Sequence, residues 1–263
     1  MSTALPFSPT PLLETHFDHE LAQLELGLRR VIKREFCRAG EQEKMRARGW
    51  AVVRIDGGYH VGARSADVQH DSGSHHTVFV GAAEAVEAAC ILESTERTAR
   101  GEARREAMIG LGELLGYPAC CTHAYLTQNE QGESASFARL FEVGPHQTAS
   151  PGNNLFVLSH ALISHFPCAL NCEHSASLAM ATWARIYEES PERANALLRL
   201  LSAPITVWDR YRFLVEHPEH GLLAPHQIDS HPVLLNHPPL HDFVRSIDSP
   251  PPGGTRFEFL PAG

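Results

Sequence analysis

Two short cysteine-bearing stretches constrain this chain more than any other feature of its 263 residues. The first reads Gly116-Tyr117-Pro118-Ala119-Cys120-Cys121-Thr122-His123, the second His165-Phe166-Pro167-Cys168-Ala169-Leu170-Asn171-Cys172-Glu173-His174. In each, a proline precedes the first cysteine where a helix is expected to begin. A helix N-terminus presents free N–H groups and a partial positive charge, which favour thiolate over thiol. Thiolate is the form that binds metal. If the four sulfurs serve one centre, the fold must bring two distant stretches of chain together.

The spacing within each pair narrows the chemistry. A helix from Pro167 to Tyr187 would place Cys168, Cys172, Ala176, Ala179, Met180, Trp183, Ile186 and Tyr187 on one stripe, with the two cysteines one turn apart. Adjacent cysteines 120 and 121 point differently on a helix, which favours a multi-atom centre over a single ion. An iron–sulfur cluster, with ligand corners spread over several ångströms, is the leading expectation. Cys120, Cys121, Cys168 and Cys172 are its expected ligands. Zinc is the alternative, drawn from the same cysteines and from His123 or His165. Thiol–disulfide chemistry within either pair is a third reading. The plain alternative is core packing, since free cysteine is among the most buried residue types.

The pair of motifs, GYPACC and HFPCALNC, resembles a small, poorly characterised group of prokaryotic proteins that carry GYPxCC followed by HxPCxxxC. The resemblance spans roughly residues 110–190. It implies that the four cysteines act as a set, and it brings no activity with it.

Composition sets the surroundings. The chain carries 22 Lys+Arg against 31 Asp+Glu, a net charge of −9. So acidic a protein lacks the cationic face that sequence-independent nucleic-acid binding needs. Mean hydropathy is −0.20, and no run approaches the about 18 apolar residues of a membrane span. The first residues show no secretory signal, and six cysteines in a chain of this length argue for metal or catalytic use over a disulfide framework. A cytoplasmic protein is expected, acting on a small-molecule substrate. The 17 histidines predict pH-dependent solubility and not a function.

The pattern along the chain predicts an α+β fold, with a mainly helical middle and short antiparallel strands near both ends. Residues 1–81 are expected to hold an N-terminal helix and a small β-meander, 82–203 the helical core with the cysteine motifs, and 204–263 short strands and a His/Pro-rich tail. Leu21, Leu24, Leu28, Val31 and Ile32 fall at helical spacing and predict a helix over about 18–37. Its polar side, Glu20, Arg29, Arg30, Lys33 and Arg34, reads as solvated. Strands are expected at Trp50–Ile55 and Thr77–Val80, with an Asp56-Gly57 hairpin turn between the first of them and Gly58–Val61. Helices should fill residues 82–115, end at Gly116 and restart at Pro118. Further helices are expected at Leu155–Ser164, after Pro167, from Pro191 to near Ser202, and at 239–247. Strands should follow at Ile205–Trp208, Tyr211–Val215 and Arg256–Leu260.

His123 and His165 are the candidate catalytic residues, because they flank the cysteine pairs; His174, Tyr125, Asn171 and Glu173 are weaker neighbours. Cys37 and Cys90 stand alone on expected helical faces and read as packing. His75, His76 and the histidines of the tail are too irregularly spaced for a designed site. No P-loop, nucleophile elbow or H-E-x-x-H helix is present. An open iron would suit a lyase, a dehydratase or a sulfur-handling enzyme.

Overall fold

The computed structural model describes residues 18–37, 39–55, 76–129, 140, 149–157, 160–209, 212–228 and 252–260. The expected turn at Asp56-Gly57, the strand at Gly58–Val61 and the helix at 239–247 lie outside them. The fold class is the expected one: mixed α+β, helical through the middle, with two small antiparallel sheets formed near the two ends. Among the described residues no helix is long and apolar enough to cross a membrane. The chain divides into two compact units, one drawn from His19–Ser136 and the other mainly from Phe137–Gly263.

The first unit opens with α1 (His19–Glu25), followed by β1 (Val31–Cys37). The single helix expected over 18–37 is therefore broken. Gly27 takes a φ of +68°, and the amides of Leu26, Gly27 and Leu28 turn back to the carbonyls of Ala22, Leu24 and Gln23. That is a glycine-terminated helix end. Beyond it the β-branched pair Val31-Ile32 enters a sheet, where alternate residues face opposite sides. Arg29 is buried and not solvated.

Helix α2 (Ala39–Ala47) leads to β2 (Ala51–Arg54), and β3 (His76–Gly81) closes the sheet in the order β1-β3-β2. Both neighbours run antiparallel to β3, with Val31 and Ala51 each opposite Gly81. One face of the sheet, carrying Val31 and Phe79, packs with Ala85, Val86 and Ala89 of α3 (Ala83–Thr98) and Leu111 and Leu114 of α4 (Gly101–Leu114). The other, carrying Ile32, Val78 and Val80, packs with Leu21 and Leu24 of α1 and Met45 of α2. Helix α5 (Ala119–Asn129) completes the described part of this unit.

In the second unit, a short 3-10 turn at Pro151–Asn153 precedes α6 (Glu173–Glu189) and α7 (Pro191–Ser202). The two helices are tied by Trp183, whose indole N–H donates to the Ala194 carbonyl at 2.9 Å. Strands β4 (Ile205–Val207), β5 (Phe213–His217), β6 (Gly221–Leu223) and β7 (Thr255–Phe257) form an antiparallel sheet in the order β6-β5-β4-β7, and α8 (Pro225–Ile228) follows β6. Strand β6 was not expected; its three residues are too few to show a period.

Two expected helices are absent or displaced. The described residues of Leu155–Ser164 form bends and irregular chain, with a 3-10 position at His160. The Asn154 side chain takes the Phe156 amide and donates to the Leu201 carbonyl, so local side-chain bonds replace helical ones. The described apolar residues of the run are buried: Phe156, Val157, Leu162 and Ile163 are each 1% exposed. The helix expected from Pro167 begins instead at Glu173. Its inward stripe is Ser175, Ala179, Thr182 and Ile186, while Tyr187 faces solvent.

Candidate metal centre

The first cysteine pair sits in the opening turn of α5. Gly116 ends α4 with a φ of +69°, and a Cβ built on it would lie 2.5 Å from the Leu28 carbonyl oxygen. Tyr117 lies under the buried Arg29 guanidinium at 5.4 Å, and Arg29 pairs with Glu20 at 3.6 Å. The Pro118 carbonyl accepts the amides of Cys121 and Thr122 at 2.8 and 3.0 Å. Gly116, Tyr117 and Pro118 thus supply, in turn, a backbone reversal, a stacking surface and the start of a helix. Cys120 and Cys121 follow with their Sγ atoms 3.9 Å apart. Adjacent cysteines in this first turn therefore turn their sulfurs to the same side, against the expectation that they point differently.

The second pair is held by a turn and not on a helix. The Cys172 amide donates to the Ala169 carbonyl, and Cys172 is the residue that caps the start of α6. Two donors keep the preceding backbone out of the helix. The fully buried Asn153 side chain gives both of its N–H groups, to the Leu170 and Cys172 carbonyls, each at 3.0 Å. The Ser150 amide adds a second bond to Leu170 at 2.9 Å. A Cβ built on Gly152 would lie 2.6 Å from the Ala179 methyl, so the Pro151–Asn153 turn lies close against α6. The two cysteines do not lie on a helical stripe; Cys172 alone continues the Ser175–Ala179 side of α6.

The four Sγ atoms of Cys120, Cys121, Cys168 and Cys172 lie within 4.8 Å of one another, a group that could hold a metal ion. Their exposure is uneven. Cys121 and Cys172 are buried, Cys168 is half-buried, and Cys120 is exposed. None of the six cysteines is in a disulfide. Three of the four close ones stand in the first turn or at the cap of a helix, where the positive end of the helix dipole favours thiolate.

The flanking residues separate clearly. His123 is exposed on α5, and His174 is exposed on the first turn of α6. His165 is buried, with its Nε2 2.9 Å from the Oγ of the equally buried Ser175. Tyr125 is half-buried, while Asn171 and Glu173 are exposed. Cys37 ends strand β1 and does not lie on a helix as expected; it is buried among Leu21, Leu24, Ile32 and Met45. Cys90 lies half-buried against the α3–α4 side of the first sheet. Burial pushes its thiol pKa up, and Glu93 and Glu87 push it further the same way, so it stays protonated. His217 is buried, and His220 lies beside it at 4.7 Å between ring centroids. His75, His231, His237 and His241 lie outside the described residues.

Asn153 and Ser175 are the residues that sequence reasoning missed. Asn153 falls in a Gly/Pro/Asn-rich loop, and its only signal was an Asn-Asn pair in front of an apolar run. Ser175 carried none beyond its place in the first turn of a helix.

No curated protein and no solved structure matches the chain. A model of the family described as "Protein of unknown function (DUF483)" matches residues 84–197. Over that span, which includes all four close cysteines, the chain is similar to a poorly characterised family.

Proposed function

We propose that this protein binds one metal ion through Cys120, Cys121, Cys168 and Cys172, with zinc in a tetrahedral four-thiolate site as the best-supported choice. The observation that carries this reading is the closeness of the four sulfurs, all within 4.8 Å. A tetrahedral ion with zinc–sulfur bonds of about 2.3 Å sets its ligand sulfurs about 3.8 Å apart. The Cys120–Cys121 separation of 3.9 Å matches one edge of such a tetrahedron. Soft thiolates are the donors that select zinc or iron over magnesium or calcium.

An iron–sulfur cluster is the second reading, favoured by the all-cysteine donor set. Its irons and bridging sulfides would spread the cysteine sulfurs more widely than they stand here. Either centre needs reduced thiols, which suits a reducing compartment such as the cytoplasm. A closed four-thiolate ion contributes folding free energy directly. His165, three residues before Cys168 and bonded to Ser175, is a positioning residue in this reading.

Metal analysis of protein purified without chelator tests the assignment. A colourless protein with about one zinc per chain is expected, and a chelator should lower its Tm. A brown protein with iron and acid-labile sulfide would replace zinc by the cluster. A well-folded protein holding neither metal would remove both readings and leave thiol chemistry.

A further inference from the structure

We infer that the Cys120 corner of the metal centre is its exchangeable position, open to a small soluble thiol or hydrosulfide. The inference rests on the four-thiolate reading above. Cys120 is the exposed member of the set and Cys168 is half-buried, while Cys121 and Cys172 are 2% and 7% exposed. A ligand leaves a metal readily only where solvent and a replacement can reach it. Cys121 and Cys172 have no such access.

The two buried ligands are also fixed at their backbone. The Cys121 amide is bonded to Pro118, and Cys172 is held through its amide to Ala169 and its carbonyl to Asn153. Rotation about the Cys120 side chain can therefore withdraw its sulfur toward solvent while the other three hold the ion. The vacated position has the size and polarity of a thiolate, so a soft anionic sulfur donor is the ligand that fits it.

The exchange balances without an oxidant or reductant. The metal–Sγ bond of Cys120 breaks and a bond to the incoming sulfur forms. The proton of the incoming thiol passes to Cys120, which leaves as a neutral thiol. The centre would in this way present a metal-activated thiolate derived from a small molecule.

Cobalt(II) and 2-mercaptoethanol test this on the full chain. Wild-type protein should bind Co2+ with intense thiolate-to-metal absorption. C120A should bind Co2+ with weaker absorption that rises toward the wild-type level when 2-mercaptoethanol is added. C121A and C172A should show no such recovery, because no added thiol reaches their positions. If C120A fails to fold, wild-type Co2+ protein treated with iodoacetamide gives the answer. Cys120 should then be alkylated while Cys121 and Cys172 stay protected until the ion is removed. A folded C120A that ignores the thiol, equal recovery of C121A or C172A, or protection of Cys120 as complete as that of Cys121 overturns the exchange. A wild type that takes up no Co2+ would instead remove the four-thiolate site itself.

Discussion

Asn153 shows how much one side chain can decide about a cysteine it does not resemble. Its carboxamide is fully buried and uses both N–H groups on the Leu170 and Cys172 carbonyls. Those donors have no substitute in an alanine. N153A should lower stability by about 1–3 kcal/mol, the cost of leaving a buried partner unsatisfied. It should also weaken metal binding by about 10–100-fold, as loss of a group that orients a ligand does. Urea unfolding and a Co2+ titration read the two effects separately; unchanged values in both would show that the turn holds itself. The cysteines were legible in the sequence because their chemistry is a property of residue type. Asn153 was not, because its part is played on two carbonyls that only the folded chain brings to it. The same applies to Arg29: its charge suggests solvent, yet Tyr117 and Glu20 enclose it.

Among the elements, the α4–α5 corner is the one on which the first pair of sulfurs depends. Gly116 sits at φ +69° with the Leu28 carbonyl directly where a side chain would project. G116A therefore faces a left-handed backbone cost of about 1–2 kcal/mol and a clash with a backbone atom in addition. Urea unfolding should show a loss larger than the backbone cost alone, together with weaker Co2+ binding because α5 is displaced; stability equal to wild type would show that the corner relaxes freely. Local signals worked well here. Gly116 as a helix stop, Pro118 as a restart and Pro191 as a first-turn residue all stand where the sequence placed them. Periodicity failed where a longer pattern ran across a break. Leu21 to Ile32 keeps helical spacing, yet Gly27 divides a helix from a strand. In the run from Leu155, Phe156, Val157, Leu162 and Ile163 are all buried, and a stretch whose apolar residues are buried on successive positions carries no helical period to read. Pro167 marked a helix start that Asn153 and Ser150 moved to Glu173 by taking the Leu170 carbonyl.

At the scale of the whole molecule, pH acts through histidines that the fold treats unequally. His217 is buried on β5, and desolvation lowers its pKa from the usual 6.5. His220 and Arg199 push the same way, and Glu219 opposes them. The Glu219 amide also donates to His217 Nδ1 at 3.2 Å, which favours the neutral ring. Below the ordinary pKa the unfolded chain takes up a proton that the folded one refuses. Stability from this group is therefore complete above the ordinary value. It declines as pH falls toward the lowered folded value, and the loss levels off beneath it. Thermal unfolding between about pH 8 and 5 should show Tm falling on the acid side, less steeply in H217Q; identical profiles would assign the slope to other groups. The sequence alone determined the α+β class, the helical middle, the strands at both ends and the four sulfur ligand candidates. These follow from local propensity and from chemistry intrinsic to a residue type. Tertiary structure decided that the four sulfurs lie within 4.8 Å, that Cys120 is the exposed one, that His165 is buried and His123 is not, and which backbone groups Asn153 would hold. Distance and burial between residues far apart in the chain arise only from packing, and no neighbouring letter records them.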